Sequence, residues 1–155
     1  MRKDQGITYL ALLFIVALSG VALAGAGVLW SFERQREKER ELLFIGGQFR
    51  DAIRGYYERS PGLVKRFPAR LEDLLQDHRF LGVQRHLRQI YVDPMTGTPH
   101  WGLIQAPEGG IMGVVSTATG RTIKRAGFGE AAPELEGKER YDEWRFMYRP
   151  ILGTK

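Results

Sequence analysis

The chain has 155 residues, a formal net charge of +5 and no cysteine. This length is enough for one small domain plus an additional segment. The absence of cysteine excludes disulfide bonds and thiolate metal sites. Positive and negative residues are interspersed along the chain, which predicts a solvated surface of mixed charge. No nucleic-acid partner is therefore expected.

The first element is an apolar stretch over residues 7–32, and no charged residue occurs between Asp4 and Glu33. A helix of this length, rising about 1.5 Å per residue, exceeds the roughly 30 Å hydrocarbon core of a bilayer. We therefore predict a transmembrane helix. Small residues recur every three or four positions, which predicts a packing stripe for another helix, or else reflects how common Gly and Ala are in membrane helices. These residues are Ala17, Gly20, Ala24, Gly27 and Ser31.

The six residues before this stretch are polar and include the cations Arg2 and Lys3. Three interpretations follow. The helix stays uncut as a single-pass inner-membrane anchor that never assembles. Alternatively, signal peptidase cuts after Ala24, behind an A-x-A-like sequence, and releases a periplasmic binding or adaptor protein. In the third interpretation, the leader is removed by a cut directly after Gly6, before the apolar stretch.

The third interpretation rests on a resemblance to a known family. A short charged leader that ends at Gly6, followed by Ile7, Thr8 and a long apolar stretch, resembles the class III signal of type IV pilins and type II secretion pseudopilins. The resemblance implies that a prepilin peptidase cuts between Gly6 and Ile7 and methylates Ile7. It also implies three further partners: other pseudopilins or pilins, an inner-membrane assembly platform and membrane lipid.

The chain departs from this family at two positions. The family usually has Phe or Met where this chain has Ile7, and Glu at the fifth mature position, where this chain has Ala11. In the family, that Glu neutralises the buried N-terminal amine of a neighbouring subunit, since an unpaired buried charge is costly. Ala11 therefore fits a minor or tip subunit better than a bulk filament subunit.

Residues 33–59 predict an amphipathic continuation of the helix into the domain. Charges alternate in sign over residues 33–41, with opposite charges three positions apart that support a solvated helix. Beyond them, apolar residues recur with helical period and predict one buried face. The sequence Ser60-Pro61-Gly62 predicts the helix end. The predicted buried face comprises Leu42, Ile45, Phe49, Ala52, Ile53 and Tyr56.

Residues 60–155 predict a small α+β globular domain. Local patterns predict short helices over residues 67–77 and 84–90 and strands over residues 100–104 and 110–116, with a short edge strand at 121–125. Three aromatic residues alternate with polar or flexible ones near the C-terminus and predict a last, half-buried strand. These aromatic residues are Trp144, Phe146 and Tyr148.

The turn formers of residues 93–99 resemble the D-P-x-G-x-P-type turn of major pseudopilins. The predicted fold is therefore α+β and pilin-like, a long N-terminal transmembrane/amphipathic α-helix packed on a small antiparallel β-sheet domain. Its divisions are a leader at 1–6, a transmembrane and assembly helix at 7–32, the amphipathic helix at 33–59 and the domain at 60–155. The expected location is a bacterial inner membrane, single-pass, with the C-terminal domain in the periplasm.

No catalytic constellation is found, and no enzyme activity, metal or cofactor is expected. His78, His86 and His100 lack metal-ligand spacing. The C-terminal acidic residues lack an Asp-rich calcium pattern, so a solvated loop is preferred to calcium binding. A basic cluster predicts a solvated helix face, with an acidic partner or nucleic acid as the alternative; it comprises Arg79, Arg85, His86 and Arg88. The predicted function is a structural subunit, a pseudopilin or minor pilin-like protein.

Overall fold

The computed structural model describes residues 4–129 and 132–150, without the side chains of residues 4–6 and 22–29. The chain divides into two compact units, an N-terminal unit ending at Glu37 and a C-terminal unit beginning at Lys38. One α-helix, α1 (Asp4–Glu58), contributes residues to both units. It ends just before the predicted stop signal, where the Arg59 N–H still donates to the Gly55 carbonyl at 3.1 Å.

The predicted fold class is wrong in the feature on which it depended, a membrane-crossing helix. Within the described part of the chain, no helix is long and apolar enough to cross a membrane. The predicted single-pass inner-membrane location is wrong on the same finding.

The core of the C-terminal unit is built on the second half of α1. The prediction of its buried face is confirmed, since all six residues are at most 7% exposed. Phe49 makes edge-to-face contacts with Tyr91 and Trp101, at ring-centroid distances of 6.2 and 5.1 Å. Gly46 lies directly under the ring of Phe146, and a Cβ at this position would overlap that ring. The helix therefore approaches the sheet closely at Gly46.

The sheet has three antiparallel strands in the order β1 (Gly102–Gln105), β2 (Ile111–Val115) and β3 (Arg145–Met147). The first two were predicted, and they are joined by a turn with two left-handed glycines, Gly109 and Gly110. The third is shorter than predicted because only three residues pair with β2. The predicted edge strand at 121–125 is an isolated bridge between Arg121 and Arg140.

The predicted short helices are largely replaced by irregular structure. A 3₁₀ turn at Leu71–Leu74 stands where a helix over residues 67–77 was predicted. The helix predicted at 84–90 is wrong, because the backbone N–H groups of His86 and Leu87 both donate to the Leu74 carbonyl instead of to helical partners. Two further 3₁₀ turns occur in the described residues, at Pro133–Leu135 and Tyr141–Glu143.

Candidate assembly surface

The N-terminal unit exposes large apolar side chains on every side of α1. Between Ile7 and Val21 these side chains are 47–73% exposed. Apolar side chains packed together on a helix without a core are characteristic of an interaction surface. We call residues 7–21 the apolar segment. Its large exposed residues are Ile7, Tyr9, Leu10, Leu12, Leu13, Phe14, Ile15, Val16, Leu18 and Val21.

The predicted small-residue stripe lies partly within the described side chains. Ala17 and Gly20 are exposed, and a Cβ added at Gly20 would meet nothing within 4 Å. Ser31 is also exposed. Ala24 and Gly27 belong to α1, but their side chains lie outside the described residues. Since positions 17 and 20 are one helical turn apart, they lie on the same face and leave the backbone open to a second helix.

The predicted cleavage site lies near the start of α1. Gly6 and Ile7 are both helical, and Ile7 is 69% exposed. Residues 1–3 of the predicted leader lie outside the described residues. The backbone of Gly6 is described, but its exposure is not. The Ser19 hydroxyl, inside the apolar segment, is satisfied within the helix, because it donates to the Ile15 carbonyl at 2.8 Å.

Charged residues begin at Glu33 and border the apolar part of the helix. The Arg34 guanidinium lies 5.1 Å from the centroid of the Trp30 ring, a cation–π arrangement. Arg36 approaches Glu33 at 3.8 Å. Both contacts join exposed side chains, so each contributes little to stability. They mark the point at which the surface of α1 changes from apolar to charged.

Glu39 anchors the start of the C-terminal unit and was missed by the sequence reasoning, which assigned it to the solvated charge run. Its side chain is buried, and its carboxylate accepts from the Ile123 N–H at 2.5 Å and from the Lys124 N–H at 3.1 Å. The Tyr141 hydroxyl donates to the same carboxylate at 2.8 Å. The two backbone donors hold residues 123 and 124 against α1, and the Tyr141 hydroxyl completes the set of donors to this buried carboxylate.

The turn at residues 93–99 forms as predicted. Asp93 is fully buried, and its carboxylate accepts from the Met95 N–H at 2.8 Å and from the Ser116 hydroxyl at 2.6 Å. Gly97 has the left-handed φ of 72° that the turn requires. Since Ser116 directly follows β2, Asp93 fixes the turn to the end of the sheet. The similarity of this turn to that of pseudopilins stays an expectation.

The predicted basic cluster is divided by a buried carboxylate, that of Asp77. Arg79 donates from Nε to Asp77 Oδ1 at 2.8 Å and from Nη2 to Asp77 Oδ2 at 2.7 Å. His86 Nε2 donates to the same Oδ2 at 3.0 Å. Burial raises the pKa of Asp77, but these hydrogen bonds outweigh burial and lower that pKa from 3.8 to about 2. Only Arg85 and Arg88 of the cluster are exposed.

Four of the C-terminal acidic residues, Glu136, Glu139, Asp142 and Glu143, are engaged in local contacts. Glu136 accepts from the Gly127 N–H at 3.0 Å, and Arg140 pairs with Asp142 at 2.7 Å. Among the described side chains, no group of three or more His, Asp or Glu is placed to hold a metal ion. Glu130 lies outside the described residues.

Comparison of the chain with protein-family models, with curated proteins and with solved structures finds no match.

Proposed function

We propose that this chain is a non-enzymatic structural subunit of a pilin-like filament, a pseudopilin of a type II secretion system or a minor subunit of a type IV pilus-type filament. The observation that carries the proposal is the apolar segment, whose large side chains are 47–73% exposed along the outside of α1. Apolar area of this extent favours burial against a partner. The class III-like leader at Gly6 and Ile7 adds the sequence support.

Assembly would proceed by packing the apolar segment against equivalent helices of neighbouring subunits. Ala17 and Gly20 offer positions where a second backbone can approach closely. The packed part of the helix would end at Glu33, because burying unpaired charges among apolar helices is costly. This mechanism needs no reaction chemistry within the chain.

The position within a filament follows from Ala11. In the family that this leader resembles, a Glu at the corresponding position neutralises the N-terminal amine of a neighbour. Ala11 supplies no such charge. A minor or tip subunit, which has fewer neighbours to neutralise, is therefore the position we propose. Its partners are a prepilin peptidase, other pilin-like subunits and an assembly platform.

The test is the intact mass of the chain produced with and without a prepilin peptidase. We expect a mature chain that starts at Ile7 and carries one methyl group only when the peptidase is present. The Gly6→Leu variant should keep its leader, whereas the Gly20→Ala variant should be processed normally. A chain that starts at Gly25, or one that retains Arg2 and Lys3 beside an active peptidase, would contradict the proposal.

A further inference from the structure

Two closed loops of the C-terminal unit project apolar side chains into solvent near the end of α1. In the first loop, residues 60–66, the Ser60 hydroxyl oxygen accepts from the Arg66 N–H at 3.2 Å and closes the loop. Leu63 lies near the middle of this loop and is 102% exposed, and Val64 beside it is 65% exposed. The loop therefore holds its apolar residues at its outer end.

The second loop, residues 77–84, repeats this arrangement. It is closed by the Asp77 N–H, which donates to the Gln84 carbonyl at 2.8 Å. Leu81 lies near its middle and is 113% exposed, and Val83 is 74% exposed. Each of the two loops therefore presents a fully exposed leucine and a largely exposed valine.

Arg79 joins the two loops at their bases. It donates from Nη1 to the Ser60 hydroxyl oxygen at 2.7 Å and from Nη2 to the Tyr56 carbonyl at 2.8 Å. Its guanidinium also lies 3.5 Å from the centroid of the Tyr56 ring. Because Asp77 holds the same guanidinium, the two loops are fixed side by side. We call residues 60–66 and 77–84 together the two-loop tip.

The two-loop tip and the residues that flank it in the sequence are rich in positive charge. Residues 59–66 and 78–88 contain six Lys or Arg and no Asp or Glu. Arg79 is offset by the buried Asp77. The remaining five cations are exposed and would meet an anionic surface together with the leucines. They are Arg59, Lys65, Arg66, Arg85 and Arg88.

We propose that the two-loop tip binds an anionic lipid surface, with Leu63 and Leu81 inserting among the acyl chains. The fluid acyl-chain region of a bilayer can accommodate leucines that project from separate loops. The exposed cations can pair with lipid phosphate groups. This peripheral contact involves neither the apolar segment nor cleavage at Gly6. It is therefore independent of the function proposed above.

The test uses the full chain labelled at a single introduced cysteine, which is possible because the chain has none. A solvent-sensitive dye at Leu81→Cys should shift to the blue and brighten at least about twofold with vesicles of mixed phosphatidylglycerol and phosphatidylcholine. It should stay unchanged with phosphatidylcholine alone. The same dye at the exposed Thr117→Cys is the matched control and should stay unchanged with both, even if the apolar segment adsorbs to the vesicles.

Two sets of variants test the parts of the tip separately. Leu63→Ser should weaken binding of the dye-labelled chain to the anionic vesicles about tenfold. Arg85→Gln and Arg88→Gln should each weaken it about fivefold. An unchanged dye at position 81 with both kinds of vesicle would overturn the proposal. An equal response at positions 81 and 117, or an equal response to neutral vesicles, would overturn it as well.

Discussion

Phe14 and Phe49 belong to the same helix, but their side chains have opposite surroundings. Phe14 is 68% exposed, whereas Phe49 is fully buried between Tyr91 and Trp101. Residues 4–37 of the N-terminal unit are continuous helix, and their large apolar side chains from Ile7 to Val21 are exposed. The C-terminal unit covers the same kind of side chain with a sheet and loops. The first half of the helix therefore exposes its described apolar side chains, whereas the second half buries its apolar side chains in the core of the C-terminal unit.

The comparison predicts that matched substitutions in the two units have very different effects on stability. Phe49→Ala should lower the free energy of unfolding by about 3–5 kcal/mol, because it removes a buried ring and leaves a cavity. Phe14→Ala should leave it within about 0.5 kcal/mol, because its ring has no core to support. Urea unfolding of both variants in a mild detergent, followed by Trp fluorescence, measures this difference. Equal losses would mean that the apolar segment packs on the C-terminal unit.

Periodicity was sufficient to predict the buried face of α1, because a helix repeats every 3.6 residues and its apolar positions are visible locally. The role of Glu39 could not be predicted in this way. Its partners lie 84, 85 and 102 residues further along the chain. Within its own segment Glu39 is one of several alternating charges, so only the tertiary fold distinguishes it from Glu37 and Glu41.

Glu39 gives the second test, at the boundary between the two units. Glu39→Ala should lower the free energy of unfolding by about 2–4 kcal/mol, because two backbone N–H groups and the Tyr141 hydroxyl lose a charged acceptor. Glu41→Ala is the matched control, since Glu41 is exposed on the same helix. Chemical denaturation of the two variants compares them. A loss at Glu41 as large as that at Glu39 would contradict the anchoring role.

The third test uses the pH dependence of the free energy of unfolding, to which Asp77 in the C-terminal unit contributes. The folded chain holds the pKa of Asp77 at about 2, below the usual value of 3.8. A lowered pKa stabilises the folded state above the unfolded pKa, and this contribution of about 2 kcal/mol is lost as pH falls from about 4 to 2. Asp77→Asn should remove that part of the pH dependence.

Unfolding measured between pH 7 and pH 2 provides the readout for Asp77. The exposed Asp51→Asn is the control and should follow the original chain across this range. If Asp77→Asn loses stability on acidification as steeply as the original chain, the network of Asp77, Arg79 and His86 is not the source of the effect.

The predictions of a membrane-crossing helix over residues 7–32 and of a helix at 84–90 were also wrong. In the described part of the chain no helix is long and apolar enough to cross a membrane. The helix at 84–90 was wrong because a carboxylate at Asp77 and a carbonyl at Leu74 hold that segment in an irregular path. Local spacing does not contain either interaction. The sequence shows that residues 7–21 are apolar, but it does not show which partner would cover them.

The most direct measurement of the central claim is photo-crosslinking from the apolar segment in cells of the source organism. A photoreactive amino acid at Ala17 should form a covalent adduct with a second copy or with another pilin-like subunit, identified by mass spectrometry. The adduct should disappear when Gly6→Leu is added, because an uncut leader blocks assembly. A chain that stays uncrosslinked at Ala17 while its leader is removed normally would contradict the claim that this segment packs against neighbouring helices.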